Sequence, residues 1–224
     1  MRLEVALALT IGGDLRHATR VWRQLEDLGL AVELGGSIAW GEARVLGKGN
    51  NSVVLLCRDV RGRRLACKIR RGDAQRPSLL DEAFYLSLAN QVSVGPRLIA
   101  YSRDVIAMEY VDGVPIPSWW ASASRGERIS VARQLLEQAF ALDELGLSHG
   151  ELSRPGDHVL IRGGKPVIID FESASLSRRS RNVLQVANML RALGLSIPLD
   201  VLKKYGEAPS REALEAIELF IGQL

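Results

Sequence analysis

Two carboxylates, Glu151 and Asp170, are the residues of this 224-residue chain whose surroundings most strongly predict chemistry. Glu151 lies in a polar loop, 149–153, and Asp170 directly follows the apolar run 167–169. A second short apolar run, 159–161, lies between them. Two short strands ending side by side would hold both acids close together, where carboxylates bind metal ions or move protons. The alternative is an ordinary β-hairpin whose acids are solvated turn residues.

A glycine-rich turn and a lysine in an apolar strand form a second candidate site. The turn, 47–52, lies between predicted strands over 38–46 and 53–57. Glycine lacks a Cβ, so the backbone of such a turn can approach a ligand and point its N–H groups at phosphates. Lys68 lies in a third predicted strand, 65–70, where its burial costs free energy unless a carboxylate or phosphate neutralises it. The turn residues that would contact a ligand are Gly47, Lys48, Gly49 and Ser52.

Glu82 is the candidate carboxylate partner of Lys68. It lies on a helix predicted over 78–89, and the neighbouring Asp81 would point about 100° away around that helix. The alternative for Glu82 is an ordinary exposed acid. Two further strands are predicted over 97–101 and 105–110.

The remaining elements would position these residues. A helix should begin at the N-cap Asp14 and end at Gly29, with Arg16, Arg20 and Arg23 on its polar side. We interpret it as packing on the next domain with its arginines in water, although a basic helix can also bind RNA. The connector 115–120 carries Trp119 and Trp120, which we interpret as core or lobe-interface anchors.

The second half of the sequence is mostly helical. A capping box of Ser124 and Glu127 opens a long helix that ends at Gly146 and leads into the loop with Glu151. A further helix is predicted over 177–193, with Ser177 as its N-cap. Two shorter helices should follow, over 198–204 and 210–221.

Composition favours a globular cytoplasmic protein. Hydrophobic residues make up 47% of the chain, and the net charge is +3. That charge is compatible with anionic ligands but too small to argue for nucleic-acid binding. No apolar run reaches the ~18 residues needed to span a bilayer, and no cleavage pattern follows the faintly signal-like start. Cys57 and Cys67 lie in neighbouring predicted strands; we interpret them as two small buried thiols, with a cross-strand disulfide as the alternative.

The order of these features resembles the protein-kinase-like superfamily, from about residue 38 to residue 176. Ser52 stands where kinases have a third glycine, and the resemblance is closest to RIO-type and compact archaeal serine/threonine kinases. It implies an α+β, bilobal fold with a β-rich N-lobe, 37–112, and a short helical C-lobe, 113–224. A helical extension, 1–36, would precede the lobes.

The resemblance also implies roles for the site residues. The turn would cover the ATP phosphates, and Lys68, held by Glu82, would bind the α- and β-phosphates. Asp170 would hold the metal ion, Mg²⁺ or Mn²⁺, and Glu151 would accept the proton of the attacking hydroxyl. His149 would brace the loop. The hinge set would be Met108 as gatekeeper, with the backbones of Glu109 and Val111 binding adenine.

Two residues depart from the family pattern. Glu151 stands where the family has aspartate, and His158 aligns with the family asparagine that helps bind the second metal ion. Because the loop is two residues longer than usual, Asp157 is an alternative ligand. Histidine suits Mn²⁺ better than Mg²⁺.

The sequence therefore predicts an ATP-dependent protein serine/threonine kinase with a protein substrate or docking partner, acting in part by autophosphorylation. The chain after Asp170 is too short for the large peptide-docking helices of eukaryotic kinases. Two alternatives remain open. One is a small-molecule phosphotransferase. The other is a non-catalytic nucleotide-binding scaffold or ATPase switch in RNA or ribosome assembly, touching RNA through the basic first helix.

Overall fold

The computed structural model describes residues 12, 14–33, 35–40, 43–156 and 158–222. The chain divides into two compact units. The first consists of residues up to Ser87 together with Pro96–Tyr110, and the second of Leu88–Gly95 and Val111–Leu224. Strands dominate the first unit and helices the second, which confirms the predicted α+β class. None of the helices in the described part of the chain is long and apolar enough to cross a membrane.

The elements of the first unit are α1 Leu15–Asp27, β1 Ala31–Glu33, β2 Ile38–Trp40, β3 Ala43–Val45, β4 Gly47–Lys48, β5 Ser52–Arg58, β6 Arg64–Arg70, α2 Leu80–Gln91, β7 Leu98–Tyr101 and β8 Val105–Glu109. The unit is built on an antiparallel sheet in the order β1-β5-β6-β8-β7, with β4 paired to β5. Every second residue of β5 is buried, as expected for a strand with one face on a core. The core between this face and helix α1 includes Val21, Leu25 and Leu55.

The single strand predicted over 38–46 is wrong, because the chain reverses within it. Ile38 pairs with Val45 and Trp40 with Ala43, so β2 and β3 form a hairpin of their own. Strand β1 was not predicted, since three residues are too few to show an alternating pattern.

The two cysteines form a disulfide, so their interpretation as buried thiols was wrong. Cys57 lies opposite Leu65 and Cys67 opposite Leu55, which makes the cysteines diagonal neighbours on adjacent strands. Their Cα atoms are 6.0 Å apart, within the range that a disulfide spans. The choice between thiols and a disulfide depended on strand register, which the spacing of two cysteines does not determine.

Polar contacts fix helix α1 to the sheet. Asp14 caps the helix as predicted, accepting a hydrogen bond from the His17 amide at 2.8 Å. Farther along, Arg20 Nε and Gln24 Nε2 each donate to Asp104 Oδ2 at 2.8 Å. Arg70 Nε donates to the other carboxylate oxygen at 2.5 Å. Arg20 is therefore an anchor although 46% of its side chain is exposed, which corrects its interpretation as an arginine held only by water. Arg16 and Arg23 are exposed as well.

Asp104 should make stability depend on pH in the acid range. Burial raises its pKa, but hydrogen bonds from Gln24, Arg20 and Arg70 outweigh burial and lower the pKa to about 2. The group has its ordinary pKa near ~3.9 in the unfolded chain, so its contribution is complete above pH ~4 and is lost as pH falls toward about 2. We expect Asp104→Asn to lose about 2 kcal/mol of unfolding free energy at pH 7 and much less at pH ~2.5. Urea unfolding at both pH values measures this, and an equal loss at both would contradict it.

The elements of the second unit are β9 Val114–Pro115, α3 Ile116–Ser122, α4 Arg125–Glu144, β10 Val159–Arg162, β11 Lys165–Ile168, α5 Asn182–Ala192, α6 Leu199–Glu207 and α7 Arg211–Gly222. Its helices pack with a three-stranded sheet in the order β11-β10-β9. The capping box of Ser124 and Glu127 is present and opens α4 as predicted. The connector predicted over 115–120 is mostly helix α3, in which buried Trp120 donates to the Leu193 carbonyl at 3.0 Å.

Helix α5 begins at Asn182, not at the predicted N-cap Ser177. The cap comes from another helix: the Asp143 carboxylate of α4 accepts from the amides of Asn182 at 2.7 Å and Val183 at 3.1 Å. A carboxylate at a helix N-terminus satisfies free N–H groups and complements the helix dipole. Because this cap lies about forty residues away in sequence, local capping signals at Ser177 were misleading.

Candidate active site

The glycine-rich turn, 47–52, lies in the first unit and consists of strand β4, the loop of the β4–β5 hairpin and the first residue of β5. Gly47 pairs with Val54 and Lys48 with Val53, and the Gly49 amide donates to the Ser52 carbonyl at 2.9 Å. A Cβ on Gly47 would lie 3.2 Å from the Val54 side chain, which is tighter than ordinary contact. The turn therefore has a compact backbone, and its contact with phosphate stays a prediction.

Lys68 and Glu82 form the ion pair that the sequence predicted. Lys68 Nζ donates to Glu82 Oε1 at 2.8 Å, and the two residues are 4% and 6% exposed. Lys68 lies between the fully buried Cys67 and Ile69 on β6, and Glu82 projects from the first turn of α2. A lysine held by a carboxylate in a buried strand is fixed in position, as a ligand for phosphate should be.

The hinge residues are divided between the two units. Met108 is opposite Ala66 on β6, and Glu109 ends β8. The Glu109 amide donates to the Arg97 carbonyl at 2.9 Å, so this N–H is used within the first unit. In the second unit the Val111 carbonyl accepts from the Gly113 amide at 3.0 Å. The adenine contacts of Met108, Glu109 and Val111 stay a prediction.

His149 makes the contacts of a residue that braces the loop. Its amide donates to Asn182 Oδ1 at 2.9 Å, and its Nε2 donates to the Ile169 carbonyl at 3.1 Å. Its ring packs against Phe171 with centroids 5.0 Å apart. Burial lowers the pKa of His149 to about 4, so the imidazole is neutral near pH 7. His149 thus links the loop that contains Glu151 to the backbone beside Asp170.

Glu151, His158 and Asp170 form a cluster in the second unit. His158 Nε2 lies 4.0 Å from Glu151 Oε2, and His158 Nδ1 lies 3.9 Å from Asp170 Oδ2. The three side chains are between 32% and 41% exposed, which leaves them open to a ligand. Asp170 has a φ of 67°, a left-handed conformation that costs free energy in a non-glycine residue and is concentrated at functional sites. The hairpin β10–β11 therefore places Asp170 beside His158, and the preceding loop places Glu151 beside the same imidazole ring.

The donor set fits a divalent cation. Carboxylate oxygens of Asp170 and Glu172 lie within 4.8 Å of each other, and His158 offers a nitrogen beside Asp170. Oxygen ligands suit Mg²⁺, and the added imidazole suits Mn²⁺. Glu172 was not predicted, although its place where kinases have the glycine of Asp-Phe-Gly was a signal. Asp157, the alternative ligand, lies outside the described residues.

Two side chains of helix α5 that the sequence did not predict, Asn182 and Gln185, hold the loop that contains Glu151. Asn182 Nδ2 donates to the Leu147 carbonyl at 2.7 Å and to Asp143 Oδ1 at 2.9 Å, while its Oδ1 holds the His149 amide. Gln185 Oε1 accepts from the Leu152 amide at 3.0 Å. These side chains fix the backbone on both sides of Glu151. Only the fold brings helix α5 next to the loop, so sequence spacing carried no signal for them.

Comparison with known proteins agrees with this arrangement. The RIO domain model matches residues 58–187, more than half of the chain. The matched stretch includes Lys68, Glu151 and Asp170 and begins after the glycine-rich turn. The chain is also 32% identical over 75 residues to an uncharacterized protein of Methanocaldococcus jannaschii. That alignment covers 34% of the chain and 64% of the relative, which is less than two thirds of the relative's length. The chain belongs to the RIO domain family, within the kinase-like proteins.

Proposed function

We propose that the protein is an ATP-dependent protein serine/threonine kinase that transfers the γ-phosphate of ATP to a protein hydroxyl, including one of its own. The observation that carries the proposal is the buried ion pair of Lys68 and Glu82. Burying a lysine in a strand core costs free energy, so we expect this lysine to have a functional role. In a kinase-like protein that role is binding of nucleotide phosphate. Family membership supports the kinase-like part of this proposal.

Each residue has a defined task in this proposal. Lys68 binds the α- and β-phosphates, and the glycine-rich turn covers the phosphate chain. Asp170 and His158, with Glu172 beside them, would hold a divalent cation, which would supply positive charge beside the phosphates. Glu151 accepts the proton of the attacking serine or threonine hydroxyl as its oxygen bonds to the γ-phosphorus, while the bond from that phosphorus to the bridging oxygen breaks and ADP leaves.

The glutamate at position 151 favours a second candidate, a nucleotide-binding switch without phosphoryl transfer. A base displaced by about 1 Å can lose on the order of 100-fold in rate. The carboxylate of Glu151 extends one methylene farther than the family aspartate, and it lies 4.0 Å from the His158 ring. RNA contact through the basic first helix, with Arg16, Arg20 and Arg23, stays a prediction. A cytoplasmic location also stays a prediction.

Incubation with γ-labelled ATP separates these candidates. The purified protein would be tested with a generic protein acceptor and, in parallel, with a panel of small alcohols. Label on protein supports the proposal. Label on a small molecule alone indicates a metabolite phosphotransferase, and release of labelled phosphate alone indicates an ATPase switch. ATP binding without any turnover indicates a scaffold.

His158 should make the activity metal-selective. Since imidazole is a better ligand for Mn²⁺ than for Mg²⁺, we expect the wild type to transfer phosphate several-fold faster with Mn²⁺. His158→Ala should remove most of that preference, whereas His17→Ala, at a histidine on α1 in the first unit, should keep it. Initial rates over a range of each metal measure the effect. The same metal preference in wild type and His158→Ala would show that His158 is not a ligand.

A further inference from the structure

Two cations share one tryptophan ring beside the glycine-rich turn. Lys48 Nζ lies 4.1 Å from the centroid of the Trp40 ring, and the Arg71 guanidinium carbon lies 5.2 Å from it. Trp40 is a mostly buried residue of β2, while Lys48 lies in β4 at the turn. Arg71 directly follows β6, the strand that carries Lys68. All of these residues belong to the first unit.

Arg71 ties the turn to the end of strand β6. Its amide donates to the Asn51 carbonyl at 2.8 Å, and its Nη1 donates to the Gly49 carbonyl at 3.2 Å. Arg71 also donates to both carboxylate oxygens of Asp73, from Nε at 2.8 Å and from Nη2 at 2.6 Å. Only 18% of the Arg71 side chain is exposed. These contacts hold the Arg71 side chain in one position between the turn and Asp73.

The charge arrangement favours an incoming anion. Lys48 and Arg71 both lie near the Trp40 ring, which attracts each of them, and their like charges repel each other. Asp73 offsets the charge of Arg71. The Lys48 side chain remains exposed on the turn. An anionic group that arrives at the turn would relieve this repulsion, and Trp40 holds the ammonium in place to meet it.

We infer that Trp40 and Arg71 are positioning residues that hold the glycine-rich turn and the Lys48 ammonium ready for the terminal phosphates of ATP. This inference rests on the proposed nucleotide site. Trp40 supplies the platform beneath Lys48, and Arg71 fixes the backbone at Gly49. Neither residue need touch the adenosine part of the nucleotide.

Calorimetric titration of the full chain with Mg²⁺–ATP and with AMP tests the inference. AMP keeps the adenosine and the α-phosphate but lacks the terminal phosphates. We expect Trp40→Leu, Lys48→Met and Arg71→Gln each to weaken ATP binding about tenfold, or about 1.4 kcal/mol, and AMP binding less than twofold. Trp40→Phe keeps an aromatic face and should stay within about threefold of wild type.

Two variants are matched controls. Arg63→Gln removes an arginine paired with Asp59 at 2.6 Å in the turn at the far end of the β5–β6 hairpin. Trp22→Leu removes a partly buried tryptophan of α1. Both should bind ATP as the wild type does.

The outcomes are distinct. A loss confined to ATP, with recovery in Trp40→Phe, supports the positioning role. Equal losses for ATP and AMP would mean that Trp40 and Arg71 only stabilise the fold, and wild-type affinity in all the variants would also overturn the inference. Neither of these results would contradict the proposed function, because the wild type would still bind ATP. A wild type that bound neither nucleotide would overturn the inference and the proposed nucleotide site together.

Discussion

Asp170→Ala should reduce phosphoryl transfer by about a thousandfold, and Glu151→Gln by about a hundredfold. Asp170 has a left-handed backbone conformation, and its carboxylate lies beside His158 and Glu172. Removing this carboxylate would take away a ligand of the metal ion that would balance charge on the phosphates. Glu151→Gln keeps the size of the side chain but cannot accept a proton, and general-base catalysis contributes about 10²–10⁴. Single-turnover rates with saturating γ-labelled ATP measure both effects.

The matched control for these variants is Glu144→Gln, which changes another carboxylate of the second unit, at the end of α4 and outside the cluster. It should transfer phosphate at the wild-type rate. If Glu151→Gln kept the wild-type rate while Asp170→Ala lost it, the metal site would stand and the proton would leave by another route. If both variants kept the wild-type rate, the cluster would have no part in the reaction.

Breaking the buried ion pair should cost about 3 kcal/mol of unfolding free energy in either single variant. Lys68→Met leaves the Glu82 carboxylate buried without its lysine, and Glu82→Leu leaves the Lys68 ammonium without this carboxylate. Removing one partner of a buried pair typically costs about 3–5 kcal/mol, whereas replacing both with apolar residues costs little. The double variant should therefore be more stable than either single variant. Urea unfolding of the four proteins gives the coupling energy.

Nucleotide binding separates the two roles of this pair. Any variant without Lys68 should lose ATP affinity, including the double variant that regains stability. The exposed pair of Arg211 and Glu137, at 2.6 Å, is the control: its single variants should lose less than about 1 kcal/mol and bind ATP normally. Additive losses in the cycle at Lys68 and Glu82 would contradict a coupled buried pair.

Features that depend on neighbours within a few residues were predictable from the sequence. Asp14 and Ser124 cap their helices as expected, because a capping contact spans three residues. The order of turn, lysine, glutamate and paired acids predicted the RIO-type family, which the domain match confirms. The Lys68–Glu82 pair was predictable because a lysine in an apolar strand requires an acid nearby.

Contacts between distant segments were not predictable in the same way. Asp104 is completely buried beneath three side chains, two of them from α1, yet nothing around it in sequence distinguishes it from a solvated turn residue. Asp143 caps a helix about forty residues ahead, and so the predicted start of that helix at Ser177 was wrong. The disulfide depended on the register of β5 and β6. In each case the partner is set by the fold, and a single sequence does not give its position.

Protein kinase activity is tested most directly by phosphorylation of protein by the wild type and by Asp170→Ala at equal ATP occupancy. Both proteins would be incubated with γ-labelled ATP and Mn²⁺ or Mg²⁺, and the label would be located by mass spectrometry. We expect phosphoserine or phosphothreonine with the wild type and about a thousandfold less with Asp170→Ala. Wild type that binds ATP but places no phosphate on any protein hydroxyl would contradict the claim that this protein is a protein kinase.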